Sequence, residues 1–254
     1  MSAQQEVMRG MTDIHCHILP GVDDGAESPE EALEMARMAL HSGVRTIIAT
    51  PHCNLPGTAG NYRTTALAKR FSQLRQAVQE SKIPVDILPG AEVLCTPQIG
   101  RLIDEGKLLT LAGSRYLLVE FYFDEAIEEM DEMLETIRQH RLVPVIAHPE
   151  RYSAVQQEPR AVGRWFRSGY VIQLNKGSIL GRLGSRSEET AHWILDHGFA
   201  HLVASDGHTA IHRTPHMTEL RHYLQDRWGS TYTDILLREN PGRIVRDLPM
   251  LQAD

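Results

Sequence analysis

The chain has 254 residues, 42% of them hydrophobic and 23% charged, an ordinary balance for a soluble globular protein that excludes disordered and fibrous classes. A formal net charge of −7 with scattered Lys and Arg excludes a nucleic-acid surface, and the longest apolar runs, such as Val143 to Ala147, are far too short to span a bilayer. Three cysteines do not make a disulfide framework, and with no secretory signal at the start a cytoplasmic protein is expected.

Residues 1–10 read as a flexible tail, and residues 11–254 as a single domain, because β-rich runs alternate with helical patterns from end to end without a break in composition. Thr12–Ile18 is the first expected strand. In its run Asp13-Ile-His-Cys-His, His15 and His17 lie two apart, so both side chains share one face and Cys16 takes the other. Asp24 follows in Val22-Asp-Asp-Gly. Ser28 is the expected N-cap of a helix over Glu30–His41, with Glu31 three residues on and Gly43 closing it.

The second strand, Arg45–Thr50, leads to His52, and the Gly/Pro-rich stretch Asn54–Asn61 is the most loop-like internal segment. A helix over Thr65–Glu80 precedes the strand Asp86–Val93, near whose end stands Glu92. Tyr116–Phe121 carries Glu120, and after a helix over Glu125–His140 the strand Val143–His148 ends on His148. Helix Arg160–Arg167, strand Val171–Asn175, helix Ser187–His197, strand His201–Ser205 and helix Pro215–Trp228 complete the pattern, with Asp206 and His208 just past the seventh strand. Seven β-then-α units favour a parallel sheet closed or nearly closed on itself, whose active site belongs at the C-terminal strand ends.

That is where most of these nine donors fall. A carboxylate at the end of an apolar run such as Leu117–Val119 is expensive to bury unless it is paired or coordinates a cation, and here the same register recurs on most strands. Imidazole and carboxylate donors without thiolate suit zinc, manganese or iron(II). Five histidines and four carboxylates exceed what one ion takes, so two or three metals are expected, with Glu92 the best bridging candidate. Clustered divalent ions suit phosphate-ester hydrolysis, and Arg151 and Arg213, close behind His148 and His208, are the candidate catalytic arginines that fork phosphate oxygens.

Taken together these motifs resemble the PHP superfamily of polymerase and histidinol phosphatase domains, which implies a distorted (β/α)7 TIM-like barrel holding three metals. More narrowly, His15-Cys-His-Ile-Leu-Pro-Gly-Val-Asp-Asp-Gly, Gly90-Ala-Glu-Val, Ala147-His-Pro-Glu-Arg-Tyr, Ala204-Ser-Asp-Gly-His and Arg213-Thr-Pro-His-Met resemble the bacterial manganese-dependent tyrosine-protein phosphatases of capsule and exopolysaccharide loci. The resemblance implies manganese as the metal, with iron or zinc as alternatives. It implies His15, His17, Asp24, His52, Glu92, Glu120, His148, Asp206 and His208 as ligands and Arg151 and Arg213 as phosphate holders. It also implies in-line attack by a metal-activated hydroxide on the phosphotyrosine tail of a cognate tyrosine autokinase, with the membrane reached only through that partner and the oligomeric state open.

Three other readings remain on the sequence. The same metals serve a PHP-type phosphatase of a small monoester such as histidinol phosphate. A non-catalytic metal-holding regulatory module docks to a partner without releasing phosphate. Cys95 and Arg101 have the C-x5-R spacing of cysteine-dependent phosphatases, although Pro97 and the lack of a glycine-rich centre make a poor phosphate nest. His192, His197, His201, His216 and His222 read as capping or surface groups, and Trp165, Trp193 and Trp228 as core.

Overall fold

A computed structural model describes residues 10–56 and 60–252. Apart from Gly10, the expected N-terminal tail lies outside the described residues, as do residues 57–59 of the loop-like stretch. The chain folds as mixed α/β with two parallel sheets. Strands β1 (Met11–Cys16), β2 (Val44–Ala49) and β4 (Asp86–Pro89) form one, in the order β1-β2-β4. The other is β3 (His52–Cys53), β5 (Glu92–Leu94), β6 (Tyr116–Glu120), β7 (Val143–Ala147), β8 (Val171–Asn175) and β9 (Leu202–Ala204), in that order.

The expected strand Asp86–Val93 is therefore broken in two, and the expected strand Arg45–Thr50 forms as β2 but is followed by a short strand, β3, that lies outside the expected ones. The run after Val44 is interrupted at Thr50-Pro51, where proline has no N–H to give a ladder, and the run after Asp86 is interrupted at Gly90-Ala91. A Cβ on Gly90 would stand 2.8 Å from Ile48 Cγ2, so the break is also a place of close packing. The two sheets meet again beyond β1 and β9. His17 N–H donates to the Gly207 carbonyl at 2.8 Å, Asp206 N–H donates to the His15 carbonyl at 3.0 Å, and Cys16 bridges Gly207 in parallel register.

Side chains alternate along the strands between two apolar clusters, as a period of two requires. Leu117, Val119, Ile146, Ile172, Leu174 and Val203 pack outward with the helices, while Tyr116, Leu118, Val145, Ala147, Val171, Leu202 and Ala204 form an inner cluster with Ile14 and Ile48. Leu111 and Ile244 belong to this inner cluster. The C-terminal segment is fastened beside the start of β6, where Tyr116 Oη donates to the Leu248 carbonyl at 2.6 Å and Arg115 N–H to Asp247 at 2.9 Å.

The longer helices follow from their apolar stripes. Helix α1 (Pro29–His41) buries Ala32, Met35, Ala36 and Ala39, starts on a Ser28 hydroxyl that accepts the Glu31 N–H, and is followed by Gly43 at φ 95°. Helix α2 (Thr65–Glu80) buries Leu67, Phe71, Leu74 and Val78 behind a Thr64 cap. Helices α3 (Ile99–Asp104), α5 (Ser153–Gln157) and α7 (Lys176–Ile179) are too short for the periodicity to reveal, and fall outside the expected helices. The others are α4 (Ile127–Gln139), α6 (Arg160–Arg167), α8 (Ser185–Asp196) and α9 (Thr218–Trp228), followed by a helical run from Ser230 to Val245.

Among the described residues no helix is long and apolar enough to cross a membrane. Trp165 is buried as expected, but His201, read from sequence as a capping or surface group, is only 4% exposed. The reason is its place at the entry to β9, where its ring stacks on Phe166 and its Nδ1 accepts the Ile172 N–H.

Candidate metal centre

Every donor that the sequence singles out arrives at one end of the strands. Glu92 stands at the centre. Its Oε2 lies 3.1 Å from His15 Nε2, 3.2 Å from His17 Nε2 and 3.2 Å from His52 Nδ1, while its Oε1 lies 2.9 Å from His148 Nε2. Asp206 Oδ1 lies 3.5 Å from His15 Nε2, 3.6 Å from His17 Nε2 and 3.4 Å from His208 Nδ1. Glu120 Oε1 approaches His52 Nδ1 at 2.8 Å, and Asp24 Oδ1 sits 3.4 Å from His52 Nε2 and 3.5 Å from His208 Nε2. The donors are almost all buried; Asp24, with a side chain 64% exposed, faces the opening.

Strand register places them. Glu120 continues the inner face of Leu118, and Asp206 the face of Ala204, each two residues on. His148 and Asp206 adopt left-handed backbone, with φ of 34° and 49°. For residues other than glycine that conformation is sparsely populated, and it turns each side chain back over the strand ends at a local cost.

Several features fit a set of cations and do not fit hydrogen bonding alone. His15 Nε2 and His17 Nε2 face one another at 3.2 Å, and both face the same carboxylate oxygen. With metal-to-nitrogen bonds of about 2.0–2.1 Å, neighbouring donors stand roughly 3.0–3.4 Å apart around a shared ion, so these separations are those of a coordination edge. His52 Nδ1 and Glu120 Oε1 are close yet make no hydrogen bond, and His208 Nε2 is likewise buried without one. Three donor groups have all their ligand atoms within 4.8 Å of one another: His17, Asp24, His52 and His208; His15, His17 and Glu92; and His52, Glu92 and Glu120.

The charges compensate each other. Burial would raise the Glu92 carboxyl, but the charge of His15 beside it, the hydrogen bond from His148 and the close approach of the His15 and His17 rings hold it well below the ordinary carboxylate range. Asp206 is likewise buried, and His15 and Arg213 hold it low. Burial pushes the His17 imidazole down, but the hydrogen bond to Asp23 and the close Glu92 carboxylate outweigh that and lift it well above its ordinary value. His52 is lifted to about 9 by Glu120 and Glu92 against its own burial. Such an imidazole and carboxylate cage is built to hold positive charge.

Residues that sequence reasoning passed over fix the orientation of these donors. Asp23 Oδ2 takes His17 Nδ1 at 2.9 Å and the His52 N–H at 2.9 Å, and its Oδ1 takes the Gly25 N–H at 3.0 Å. Gln173 Oε1 pairs with His15 Nδ1 at 2.8 Å, and Asn175 Nδ2 donates to Asp206. Glu150, wholly buried, accepts the Asn175 N–H at 3.0 Å. Their letters carry no signal before the fold is known, except that Asp23 adjoins Asp24.

Both candidate arginines reach the cage. Arg213 donates to Asp206 Oδ2, and Arg151 Nη1 lies 3.7 Å from the same oxygen. The Arg213 carbonyl accepts the His208 N–H at 2.7 Å, so the loop carrying the arginine closes on the donor it follows. The loop-like stretch also reaches the site at its ends, where Asn61 Nδ2 donates to the His52 carbonyl at 2.8 Å.

The cysteine reading finds no support in the geometry. Cys95 is buried with its thiol pushed well up by that burial, and Arg101 is on the surface, its Nε 2.6 Å from Glu105.

The profile of the CpsB/CapC family, described as capsular polysaccharide synthesis, matches residues 11–246. The chain is 34% identical over 239 residues to tyrosine-protein phosphatase YwqE of Bacillus subtilis, covering 93% of this chain and 92% of that one. It is 30% identical over 244 residues to tyrosine-protein phosphatase CpsB of Streptococcus pneumoniae, covering 93% and 99%. Its structure superposes with a TM-score of 0.89, at 32% identity and over 96% of this chain and 97% of the other, on a solved structure from work describing YwqE and CpsB as unique metal-dependent tyrosine phosphatases.

Proposed function

The chain belongs to the CpsB/CapC family of capsular polysaccharide synthesis, and from that membership we propose that it is a metal-dependent tyrosine-protein phosphatase. The observation that carries the reading is the convergence of His15, His17, His52 and His148 on the two oxygens of Glu92, beside two arginines able to hold a phosphate. The ligands are His15, His17, Asp24, His52, Glu92, Glu120, His148, Asp206 and His208. Their number and the overlap of the three donor groups at His17, His52 and Glu92 support two or three ions. Manganese is the metal that the sequence resemblance favours over iron or zinc.

Bound divalent ions lower the pKa of water and neutralise phosphoryl oxygens. This chain's own residues do the rest. Asp23 and Gln173 fix which nitrogen of His17 and His15 faces inward. Arg151 and Arg213, which converge on Asp206, bind phosphate oxygens and stabilise the charge that builds on them in an in-line displacement. The Asp24 side chain is 64% exposed, so a phosphorylated tail would approach the cage from that side.

The substrate is the phosphotyrosine tail of a tyrosine autokinase of capsule or exopolysaccharide synthesis, which the family's role supports. The finer architecture is a distorted seven-unit barrel of the PHP type over residues 11–254 as one domain. The hydrogen bonds joining β1 to the end of β9, and the interrupted runs β2–β3 and β4–β5, support it. The protein works in the cytoplasm; its three cysteines, all buried and unpaired, suit a reducing compartment.

Phosphate release from a tyrosine-phosphorylated peptide and from a small alkyl monoester tests the reading, in chelator-stripped protein before and after manganese is restored. Release that vanishes on stripping, returns with manganese and favours the peptide is expected. Manganese-dependent release from the small ester alone would move the substrate to small monoesters. Partner binding with no release from either would make the chain a regulatory module.

A further inference from the structure

We propose that Phe123 selects aryl over alkyl phosphate esters by packing against the aromatic ring of the substrate while Arg151 takes the phosphate. This rests on the phosphatase reading and adds a specificity residue to it.

Phe123 stands three residues past Glu120, on the turn that leaves β6. Its ring is placed beside the cage by contacts beneath it. The guanidinium carbon of Arg151 lies 4.7 Å from the ring centroid, and the His148 and Tyr152 rings lie 6.4 Å and 6.3 Å away. The turn is held in place, since the Ser153 N–H donates to the Phe123 carbonyl at 2.8 Å. The buried Tyr152 hydroxyl takes the Phe121 N–H at 3.1 Å and donates to Ala147 at 2.8 Å. Despite these anchors Phe123 is 48% exposed.

Phe123 and its neighbour Tyr122, 46% exposed, are two of the four exposed large hydrophobic residues among the described residues, and of that pair it is Phe123 that faces Arg151. Arg151 explains half of that placement, since a guanidinium gains from an aromatic face. The other half is unexplained by the protein alone. Arg151 and Phe123 form a pair with the charge toward Asp206 and the apolar surface toward solvent. A phosphate on Arg151 puts its organic group within reach of the ring, where a phenyl ester finds an aromatic partner and an alkyl ester finds little. Aromatic pairing in offset or edge geometry amounts to about 2- to 12-fold in affinity.

Binding of phenylphosphonate and methylphosphonate, which cannot be hydrolysed, to the manganese-loaded protein separates this from any effect on turnover. Calorimetry on the wild type is expected to favour phenylphosphonate. In Phe123→Ala the ratio of the dissociation constant for methylphosphonate to that for phenylphosphonate should fall by about 2- to 12-fold, and Phe123→Tyr should restore it. If both phosphonates weaken by the same factor, Phe123 acts only by steering Arg151 and the proposal is wrong. An unchanged ratio with unchanged affinities makes the ring a bystander and is equally fatal. Failure of the phosphatase reading shows itself elsewhere, as a wild type that releases no phosphate from a phosphotyrosine peptide.

Discussion

Asp23 and Asp24 are adjacent carboxylates with opposite surroundings, one enclosed by His17, His52 and Gly25, the other 64% exposed and edging toward His52 and His208. The first orients an imidazole and the second offers an oxygen to an ion, so their removal should differ in kind. Asp23→Asn keeps an acceptor but loses the charge behind His17; manganese affinity is expected to fall about 10- to 100-fold with the number of bound ions unchanged. Asp24→Ala should lower that number by one while the remaining ions bind as before. Metal titration followed by elemental analysis distinguishes the two, and equal effects would mean that the roles are misassigned. The pair also marks how far a sequence can be read at this scale. His15, Glu92, Glu120, His148 and Asp206 are legible because a polar donor at the end of an apolar run has few cheap explanations. Asp23, Gln173 and Asn175 are not, since their significance lies in which donor they touch.

At the scale of elements, the β8–β9 pairing contains a pH-sensitive point far from the cage. Burial alone pushes the His201 imidazole down to about 4, and its Nδ1 takes the Ile172 N–H at 3.1 Å. Above its unfolded value near 6.5 the ring is neutral in both states and costs nothing. As pH falls below that, the unfolded chain binds the proton first, so stability is lost progressively toward pH 4. Between pH 7.5 and 5 the loss from this group is about 2 kcal/mol. His201→Gln retains an acceptor without a titrating ring, and its urea midpoint should fall less than that of the wild type over the same interval. Parallel curves would remove His201 from the acid limb. A second element carries a link to the site: Glu31 of α1 accepts the Glu27 N–H at 3.0 Å and the Ala210 N–H at 3.1 Å, tying the helix start to the loop that carries Arg213. The capping sequence Ser28 to Glu31 is legible, and the Ser28 half forms as written. The Glu31 half does not, because that carboxylate takes the N–H groups of Glu27 and Ala210 and not that of Ser28. Glu31→Ala should therefore raise KM for a phosphorylated peptide several-fold beyond any effect of the roughly 1 kcal/mol lost with a cap, whereas Ser28→Ala should affect stability alone. Strand positions were readable to within a residue or two, yet the breaks at Pro51 and Gly90 and the short helices depend on packing that no periodicity records.

For the whole molecule, the cage draws donors from both sheets: His15 from β1 in one, His52, Glu92 and Glu120 from β3, β5 and β6 in the other, with His148, Asp206 and His208 past β7 and β9. Where the sheets meet, the hydrogen bonds between the β1 end and the Asp206–Gly207 turn run directly beneath these donors. Ions that bind only the folded arrangement must therefore stabilise the entire fold. A single ion present at 100 times its dissociation constant contributes about 2.7 kcal/mol. At roughly 2–4 °C per kcal/mol for a domain of this size, that raises Tm by about 5–10 °C. Chelation should lower Tm by at least this amount, and restoring manganese should raise it in proportion to the logarithm of its concentration. In a His15→Ala, His17→Ala double variant the dependence on manganese should be much flattened, while circular dichroism still reports the α/β fold, because the inner cluster of Ile48, Leu118, Val145 and Leu202 lies beneath the donors and does not use them. A double variant that keeps the wild-type slope would place the stabilising ions elsewhere, whereas one that loses the fold outright would mean that β1 is held by its metal donors more than by its ladder with β2.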